Sequence, residues 1–279
     1  MLSISFGLLS ALLWGAGDFA GGIASRRTGA FRVVWLAEVV GLLVLIPAAL
    51  TFEKTVPDAL SWMQAALAGA LGTLGLVLLY HAMATGSMSI AAPVSALTAG
   101  VLPVIIGSLS EGLPTGLVMM GFAFALMAVW LVSQDREGPR NILAHLSDLR
   151  LPLFAGIGFG CFFVLIHSAS RTSTLWPMVA SRGAGLLAIG LFILFRRESF
   201  RVSRSALPII VLNGILDIGG NAFYIMAGQI GRMDISAVLS SLYPAATVIL
   251  AWFILKERLS ATQWFGIAAA MVAIVLFTL

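Results

Sequence analysis

The sequence is poor in charged residues and in cysteine. Only 10% of its 279 residues are Asp, Glu, Lys or Arg, whereas soluble globular proteins carry about a quarter. Cys161 is the single cysteine, which excludes an intrachain disulfide and a cysteine-based metal site. The motifs H-E-x-x-H, G-x-S-x-G and G-x-x-x-x-G-K are also missing, so nothing points to the common protease, hydrolase or P-loop enzymes. We therefore expect no catalytic site, no metal and no cofactor.

Apolar residues fill the chain instead, at 60% of the total. They form ten stretches that are each about long enough to cross a bilayer. These cover residues 3–24, 31–51, 62–85, 89–109, 114–133, 151–170, 175–195, 206–228, 235–254 and 261–279. A backbone in lipid must satisfy its own hydrogen bonds, and the alternation typical of barrels is missing, so helices are predicted. The fold class is an all-α membrane protein with ten transmembrane helices.

The net charge of +4 comes from short basic loops rather than from a basic domain, so no nucleic-acid partner is expected. The odd-numbered loops hold twelve Lys and Arg residues, and the even-numbered loops hold three: Lys54, Arg171 and Arg232. The positive-inside rule then predicts cytoplasmic odd loops and both termini outside. No cation precedes the first stretch, which argues against a cleaved signal peptide and favours a multi-pass protein of a bacterial cytoplasmic membrane.

The two halves of the chain repeat each other. GSMSIAAPVSAL begins at Gly86 and GRMDISAVLSSL at Gly231, a shift of 145 residues, with six of twelve positions identical. Five spans per half, an odd number, require the second half to enter the membrane from the opposite side, so the repeats are inverted. We predict a first five-helix repeat over 1–133, a polar connector over 134–150 and a second repeat over 151–279.

Ionisable residues within the spans are the candidate functional groups, because charge in hydrocarbon is costly. Glu38 and Arg182 lie near the middle of spans two and seven at equivalent places of the two repeats, 144 residues apart. The repeat symmetry can bring them together. A gate or substrate-binding ion pair and a purely structural salt bridge are both compatible with this pattern.

Span eight carries a polar stripe on one helical face, formed by Asn213, Asp217, Asn221 and Tyr224 at spacings of four, four and three. Such a stripe is unlike a lipid-facing surface. It predicts a water-filled or substrate cavity, with an interhelical hydrogen-bond seam as the alternative. Asp217 is the first choice for a proton or cation site.

Span one places Asp18 in a glycine-lined stretch, where Gly17 and Gly21 let another helix or a solute approach the backbone closely. Trp14 lies one turn earlier on the same side. Its ring can stack on a flat or cationic ligand, or it can serve as a packing or interfacial group.

Three further positions belong to the candidate set. Tyr80 in span three recurs as Tyr224 in span eight, and both hydroxyls can bind a solute. His81 and His167 lie near span ends, where a hydrogen-bonded histidine is the simpler interpretation and a proton relay the alternative.

Prolines interrupt spans four and nine, at Pro93, Pro103 and Pro244. Each removes a backbone donor. The pattern predicts a kink or a short unwound section in these two counterpart helices.

Two segments of this chain resemble EamA-type members of the drug/metabolite transporter superfamily: LLSALLWGAGDF from Leu8 and LYPAATVILAWFILKERLSATQWFGIAAAMVAIVL from Leu242. The resemblance implies ten helices in two inverted repeats, with the first four helices of each half around a central cavity. It also implies amino acids, other metabolites or drugs as substrates. Glu257 matches the acidic residue after the ninth helix and is expected to be structural. Members are often described with cytoplasmic termini, which differs from the loop-charge prediction.

The expected function is secondary transport of a small organic solute by alternating access, in the direction of export and with protons or another ion as a coupling partner. Facilitated diffusion is the alternative to coupling. An intramembrane lipid-processing enzyme is the alternative from another class. A monomer and a homodimer are both compatible with the sequence.

Overall fold

The fold is described from a computed structural model, which covers residues 1–85, 88–132, 149–254 and 259–279. These residues form helices and connecting loops, with no strand among them. In chain order the helices are α1 (Leu2–Thr28), α2 (Ala30–Phe52), α3 (Ala59–Thr85), α4 (Met88–Ser110), α5 (Gly116–Val132), α6 (Arg150–Ala169), α7 (Leu175–Phe195), α8 (Leu207–Ile230), α9 (Met233–Ser240), α10 (Tyr243–Ile254) and α11 (Ala261–Thr278).

Seven of the described helices, α1, α2, α3, α6, α7, α8 and α11, are long and apolar enough to cross a membrane. Two more apolar segments, 94–110 and 116–132, are slightly shorter. Large apolar side chains such as Leu43, Phe154 and Leu187 are exposed on the outer surface, where lipid is the solvent that suits them. The all-α prediction is confirmed, and the chain is a multi-pass membrane protein.

The predicted spans agree with the observed helices to within a few residues, except at span nine. That span consists of α9 and α10, separated at Ser241 and Leu242, directly before Pro244. The predicted interruption is therefore confirmed in span nine. In span four, α4 continues as one helix through Pro93 and Pro103, so no unwound section occurs there. Most of the predicted connector and residues Lys256 and Glu257 lie outside the described residues.

Helix packing mixes the two halves of the chain. α1 packs along α8, α3 along α6, α2 along α7, and α5 along α11. Glycines allow these close approaches: Gly69 of α3 lies against the carbonyl oxygen of Ser181, and a Cβ on Gly214 of α8 would lie 3.1 Å from the carbonyl oxygen of Ala37. The first four spans of each half thus surround a common interior, and α5 and α11 pair outside it.

The even-numbered loops, those after α2, α4, α6 and α8, meet at one end of the bundle, here called the even-loop end. Arg232 donates from Nη2 to the carbonyl oxygen of Gly112 at 2.9 Å and forms an ion pair of 2.7 Å with Asp234. The hydrogen bond with Asp234 raises the pKa of the Arg232 guanidinium. Gln229 donates to the carbonyl oxygen of Ser170 at 2.6 Å. Polar contacts therefore hold this end together.

Candidate functional site

An ion cluster lies at mid-helix depth in the centre of the bundle. Arg182 of α7 donates from Nη1 to Oε2 of Glu38 in α2 at 2.9 Å, and from Nη2 to Oδ2 of Asp217 in α8. Glu38 and Arg182 are 3% and 7% exposed. The predicted meeting of Glu38 and Arg182 is confirmed. Two carboxylates share one guanidinium, which satisfies the requirement that a buried charge have a partner.

Thr73 of α3 completes the cluster by donating its hydroxyl to Oε1 of Glu38 at 2.7 Å. Thr73 and Glu38 are 35 residues apart, and so are Asp217 and Arg182. The shift of 144 residues that relates Glu38 to Arg182 also relates Thr73 to Asp217. The cluster is therefore built from two equivalent pairs with different chemistry, a hydroxyl on a carboxylate and a carboxylate on a guanidinium.

Gly185 gives the cluster its space. It lies one turn after Arg182 in α7, and a side chain there would collide with the hydroxyl of Thr73 and lie 3.0 Å from Oε1 of Glu38. Gly41, its counterpart in α2, faces the Arg182 stem, where a Cβ would lie 3.1 Å from Cδ. Glycine at both positions leaves space between the helices for the side chains of Glu38 and Arg182.

Asp18 of α1 is a third buried carboxylate in the same region, 8% exposed. Tyr80 of α3 donates its hydroxyl to Oδ1 of Asp18 at 3.3 Å, and Nδ2 of Asn213 donates to the Tyr80 oxygen at 2.9 Å. The Tyr80 ring rests against Gly21, as the predicted close approach requires. Asp18 thus ends a hydrogen-bond chain across α8, α3 and α1, and no ion pair of the described residues includes it.

A cavity of about 80 Å³ opens between these groups. Its polar lining comprises Asp18, Glu38, Thr73, Ser181, Arg182, Asp217, Asn221 and Tyr243. Its apolar lining comprises Trp14, Leu76, Phe159, Phe162 and Phe163, with Gly69 and Gly72. An apolar wall with a few convergent polar groups is typical of sites for small organic ligands.

Aromatic rings form one wall of this cavity. Trp14 stacks on Phe163, with ring centroids 5.5 Å apart and planes inclined by 20°. Phe163 in turn lies 4.8 Å from the ring of Tyr224, whose hydroxyl donates to the Phe163 carbonyl at 2.8 Å. The cavity therefore sets an apolar aromatic surface beside carboxylates.

The polar stripe on α8 divides between two roles. Asp217 and Asn221 line the cavity, where Nδ2 of Asn221 donates to Oδ2 of Asp217 at 3.2 Å. Asn213 and Tyr224 are fully buried and bond to neighbouring helices, as in the alternative of a hydrogen-bond seam.

The two histidines lie away from the cavity. His81 is exposed near the end of α3. His167 lines a separate polar recess at the even-loop end, together with Glu53, Arg171 and Gln229. Neither is placed near the ion cluster.

Sequence reasoning missed Glu53, which follows α2 at the even-loop end. Its carboxylate accepts hydrogen bonds from the Ser173 hydroxyl and from the backbone N–H groups of Thr174, Leu175 and Trp176, the last three at 2.6, 3.0 and 3.3 Å. These are the free donors at the N-terminus of α7, where the helix dipole favours an anion. We call this contact the Glu53 latch. Sequence reasoning also missed Thr73, although the repeat shift from Asp217 points to it.

Comparisons with known proteins agree with this architecture. A crystal structure aligns with 99% of this chain and 96% of its own at a TM-score of 0.79 and 16% identity, which shows a shared fold. The uncharacterized protein MJ1333.1 of Methanocaldococcus jannaschii is 28% identical over 137 residues, which are 49% of this chain and 96% of that protein. That protein is thus about as long as one half of this chain.

The sequence model of the EamA-like transporter family matches residues 1–134 and 149–279, nearly the whole chain. The resemblance seen in the sequence is thereby confirmed. This multi-pass helical protein, with its charged cavity at the centre of the bundle, belongs to the EamA-like transporter family.

Proposed function

We propose that this transporter moves a small organic solute by alternating access around the central cavity, in the direction of export. The observation that carries the proposal is the ion cluster of Glu38, Arg182, Thr73 and Asp217 at the contact between the two halves of the chain. Buried charges at mid-membrane are expensive. Placed in a cavity where the halves meet, they can bind solute in one arrangement of the halves and release it in the other.

The packing supports two structurally equivalent repeats. If spans one to five correspond to spans six to ten, α1 is the counterpart of α6 and α3 is the counterpart of α8. The packing of α1 against α8 then corresponds to the packing of α6 against α3, and both contacts occur. The contact of Tyr80 with Asp18 likewise corresponds to that of Tyr224 with Phe163. The family match in two stretches, 1–134 and 149–279, and a relative about as long as one half agree with this division.

The two ends of the bundle are unequal, as alternating access requires of any single state. At the even-loop end, Glu53 caps the N-terminus of α7. The shift of 145 residues relates Glu53 to Glu198, and the α7 N-terminus to that of α2. Glu198 follows α7 at the opposite end, and its carboxylate forms no hydrogen bond or ion pair with the residues that the structure describes.

We infer that the latch changes ends during transport. In the other state the Glu198 carboxylate accepts from the N-terminal N–H groups of α2, and the Glu53 latch is broken. The sequence is suited to this exchange. Ser173 donates its hydroxyl in the present latch, and the equivalent position before α2 is Thr28, which also carries a hydroxyl. The loop charges predict that the odd-numbered loops are cytoplasmic. The even-loop end, which holds the Glu53 latch, then faces outward, and the opposite end faces the cytoplasm, from which an exporter takes up its solute.

Cross-linking tests the exchange on a Cys161→Ala background. One cysteine pair, Lys54→Cys with Leu175→Cys, reports the present latch, and the equivalent pair, Ser199→Cys with Ala30→Cys, reports the other. We expect a short bifunctional maleimide to join each pair, and either cross-link to stop protein-dependent movement of solutes from a mixture of metabolites into proteoliposomes, followed by mass spectrometry. Transport that continues through a completely cross-linked pair would refute alternating access.

The latch residues themselves provide a matched pair of variants. Glu53→Gln should increase cross-linking of the pair at positions 199 and 30, because the present latch is weakened. Glu198→Gln should increase cross-linking of the pair at positions 54 and 175. Equal cross-linking of both pairs in both variants would show that the carboxylates do not set the balance between the states.

We propose Asp18 as the proton-coupling residue, in place of Asp217, which the sequence favoured. Asp217 is held by Arg182, whereas Asp18 is buried without an ion-pair partner among the described residues. A proton can therefore neutralise Asp18 without breaking an ion pair. Collapse of the pH gradient with an ionophore should slow transport by the native protein and leave Asp18→Asn unaffected. An equal response in both would assign the coupling elsewhere.

The lipid-processing alternative calls for different behaviour. A membrane enzyme would form product in detergent, without two compartments, whereas a carrier leaves its solute unchanged. Mass spectrometry of the solutes recovered from the proteoliposomes distinguishes the two. The EamA-like transporter family favours the carrier.

A further inference from the structure

The charges that line the cavity do not balance. Three carboxylates, Asp18, Glu38 and Asp217, face it together with one guanidinium, that of Arg182. Arg182 is already engaged by Glu38 at 2.9 Å and by Asp217. The remaining carboxylate, Asp18, has the Tyr80 hydroxyl as its partner at 3.3 Å and no ion pair within the described part of the chain. The lining therefore has two more carboxylates than cations, and Asp18 is the one with no cation beside it among the described residues.

The surface next to Asp18 is aromatic. Trp14 lies one helical turn before Asp18 on α1 and lines the same cavity. Phe163, the repeat counterpart of Asp18, presents a ring where a symmetric protein would place a second carboxylate, and Trp14 stacks on it at 5.5 Å. Aromatic faces attract cations, by about 0.5–2 kcal/mol or more when the site is desolvated. Carboxylate and rings therefore favour the same kind of ligand.

An anionic ligand would meet the opposite situation. The Arg182 guanidinium is the one cationic group that lines the cavity among the described residues, and two carboxylates occupy it. A solute carboxylate would have to displace Glu38 or Asp217 and leave that residue as an uncompensated buried charge, which is strongly unfavourable.

We propose that the solute is an organic monocation, with a substituted ammonium group against Asp18 and an apolar body against the aromatic wall of Trp14, Phe159 and Phe163. The inference rests on the proposed function, because it assigns a substrate class to the same cavity. Among the amino acids, other metabolites and drugs that the family resemblance implies, the proposed substrates are amines and quaternary ammonium compounds that have no carboxylate. The ammonium places a cation beside Asp18, and the aromatic rings bury the apolar part of the solute.

The test compares three probes of similar size on the purified full-length protein, by isothermal titration in detergent. Benzyltrimethylammonium carries a fixed positive charge, phenylacetamide is neutral and phenylacetate is anionic. We expect benzyltrimethylammonium to bind at least about tenfold more tightly than phenylacetamide, as an electrostatic attraction to Asp18 of about 1.4 kcal/mol gives. Phenylacetate should bind most weakly. Equal binding of the cation and the amide, or tightest binding of the anion, overturns the proposal without any variant.

Variants then identify the groups. Asp18→Asn should weaken benzyltrimethylammonium binding at least about tenfold and weaken phenylacetamide binding by less, since only the cation carries the charge that Asp18 attracts. Phe163→Leu should weaken both probes, because it removes an aromatic face. Asp58→Asn is the control, since Asp58 is an exposed carboxylate before α3, outside the cavity. An Asp18→Asn protein that remains monodisperse and binds the cation normally would overturn the assignment.

Binding and transport distinguish this inference from the proposed function. If benzyltrimethylammonium binds as expected but proteoliposomes do not move it or other solutes, the transport proposal fails and the cation site stands. If proteoliposomes move neutral or anionic solutes in preference to cations, the cation proposal fails and transport stands.

Discussion

Exchange of the charged pair at the centre of the bundle provides the most demanding test of the site. The double variant Glu38→Arg with Arg182→Glu keeps the two charges and reverses their order. It does not restore the native cluster, because the new carboxylate on α7 lies beside Asp217, while the new guanidinium on α2 lies beside Thr73. The quadruple variant, which adds Thr73→Asp and Asp217→Thr, exchanges both equivalent pairs and rebuilds the contacts among these four side chains in mirrored form.

The magnitude follows from burial. Glu38 and Arg182 are 3% and 7% exposed, and loss of one partner from a buried pair costs about 3–5 kcal/mol. In the double variant Asp217 loses the guanidinium and gains a like charge, so we expect a loss of this size in the free energy of unfolding. This is roughly two to four powers of ten in the unfolding equilibrium constant. The quadruple variant should recover to within about 1 kcal/mol of the native protein, because the exchange keeps the charges and the total side-chain volume of the cluster.

The measurement is reversible unfolding in mixed micelles, with increasing denaturing detergent, followed by the loss of helix signal. Arg182→Met, which leaves two carboxylates without their cation, sets the scale of complete disruption. A double variant as stable as the native protein would show that Asp217 does not depend on Arg182. A quadruple variant no better than the double would show that the two halves are not equivalent at this site.

Three further predictions concern single positions. Gly185→Ala should lower the free energy of unfolding by about 1–3 kcal/mol, because the added methyl group would displace Thr73 from Glu38. Gly183→Ala in the same helix is the control: its Cβ would lie in open space, so the change should be neutral or slightly stabilising. Glu53→Gln should cost about 1–2 kcal/mol through loss of the charged cap on α7, and an unchanged unfolding curve would refute the latch. The Asp58 carboxylate accepts a hydrogen bond from the Ser61 amide at 2.8 Å, which lowers the pKa of Asp58 below the ordinary 3.8. This contact stabilises the fold above the pKa of the unfolded state, and the stabilisation is lost as pH falls through the lower pKa of the folded state. An NMR titration of the Asp58 carboxyl with a midpoint at or above 3.8 would contradict the prediction.

Repeat register was the most informative property of the sequence for the site. The shift of 144 residues correctly predicted that Glu38 and Arg182 meet, because in the proposed inverted arrangement equivalent residues near the contact between the repeats face each other. The same shift relates Thr73 to Asp217 and so points to the fourth member of the cluster. Thr73 is harder to recognise because a threonine hydroxyl can bond to a carbonyl of its own helix and needs no partner elsewhere.

Contacts between non-equivalent residues could not be read from the sequence. The chain from Asn213 through Tyr80 to Asp18 depends on α8 and α3 both lying against α1, and neither hydropathy nor repeat spacing specifies which helices are neighbours. The Glu53 latch depends on a loop reaching the N-terminus of α7 in the other half. Periodicity predicts the faces of a helix, whereas the partner of each face is decided by packing.

The ion cluster explains why the two halves had to diverge where they meet. If both halves carried the same acidic residue at the position of Glu38, the axis between them would bring two like charges together in a buried site, which is unfavourable. Glutamate in one half and arginine in the other turn that repulsion into a pair of 2.9 Å. The same divergence places threonine at 73 and aspartate at 217, and aspartate at 18 and phenylalanine at 163, so equivalent positions carry different chemistry. In the proposed mechanism the two end states therefore differ in their contacts, and binding of solute or a proton at Asp18 would shift the balance between them.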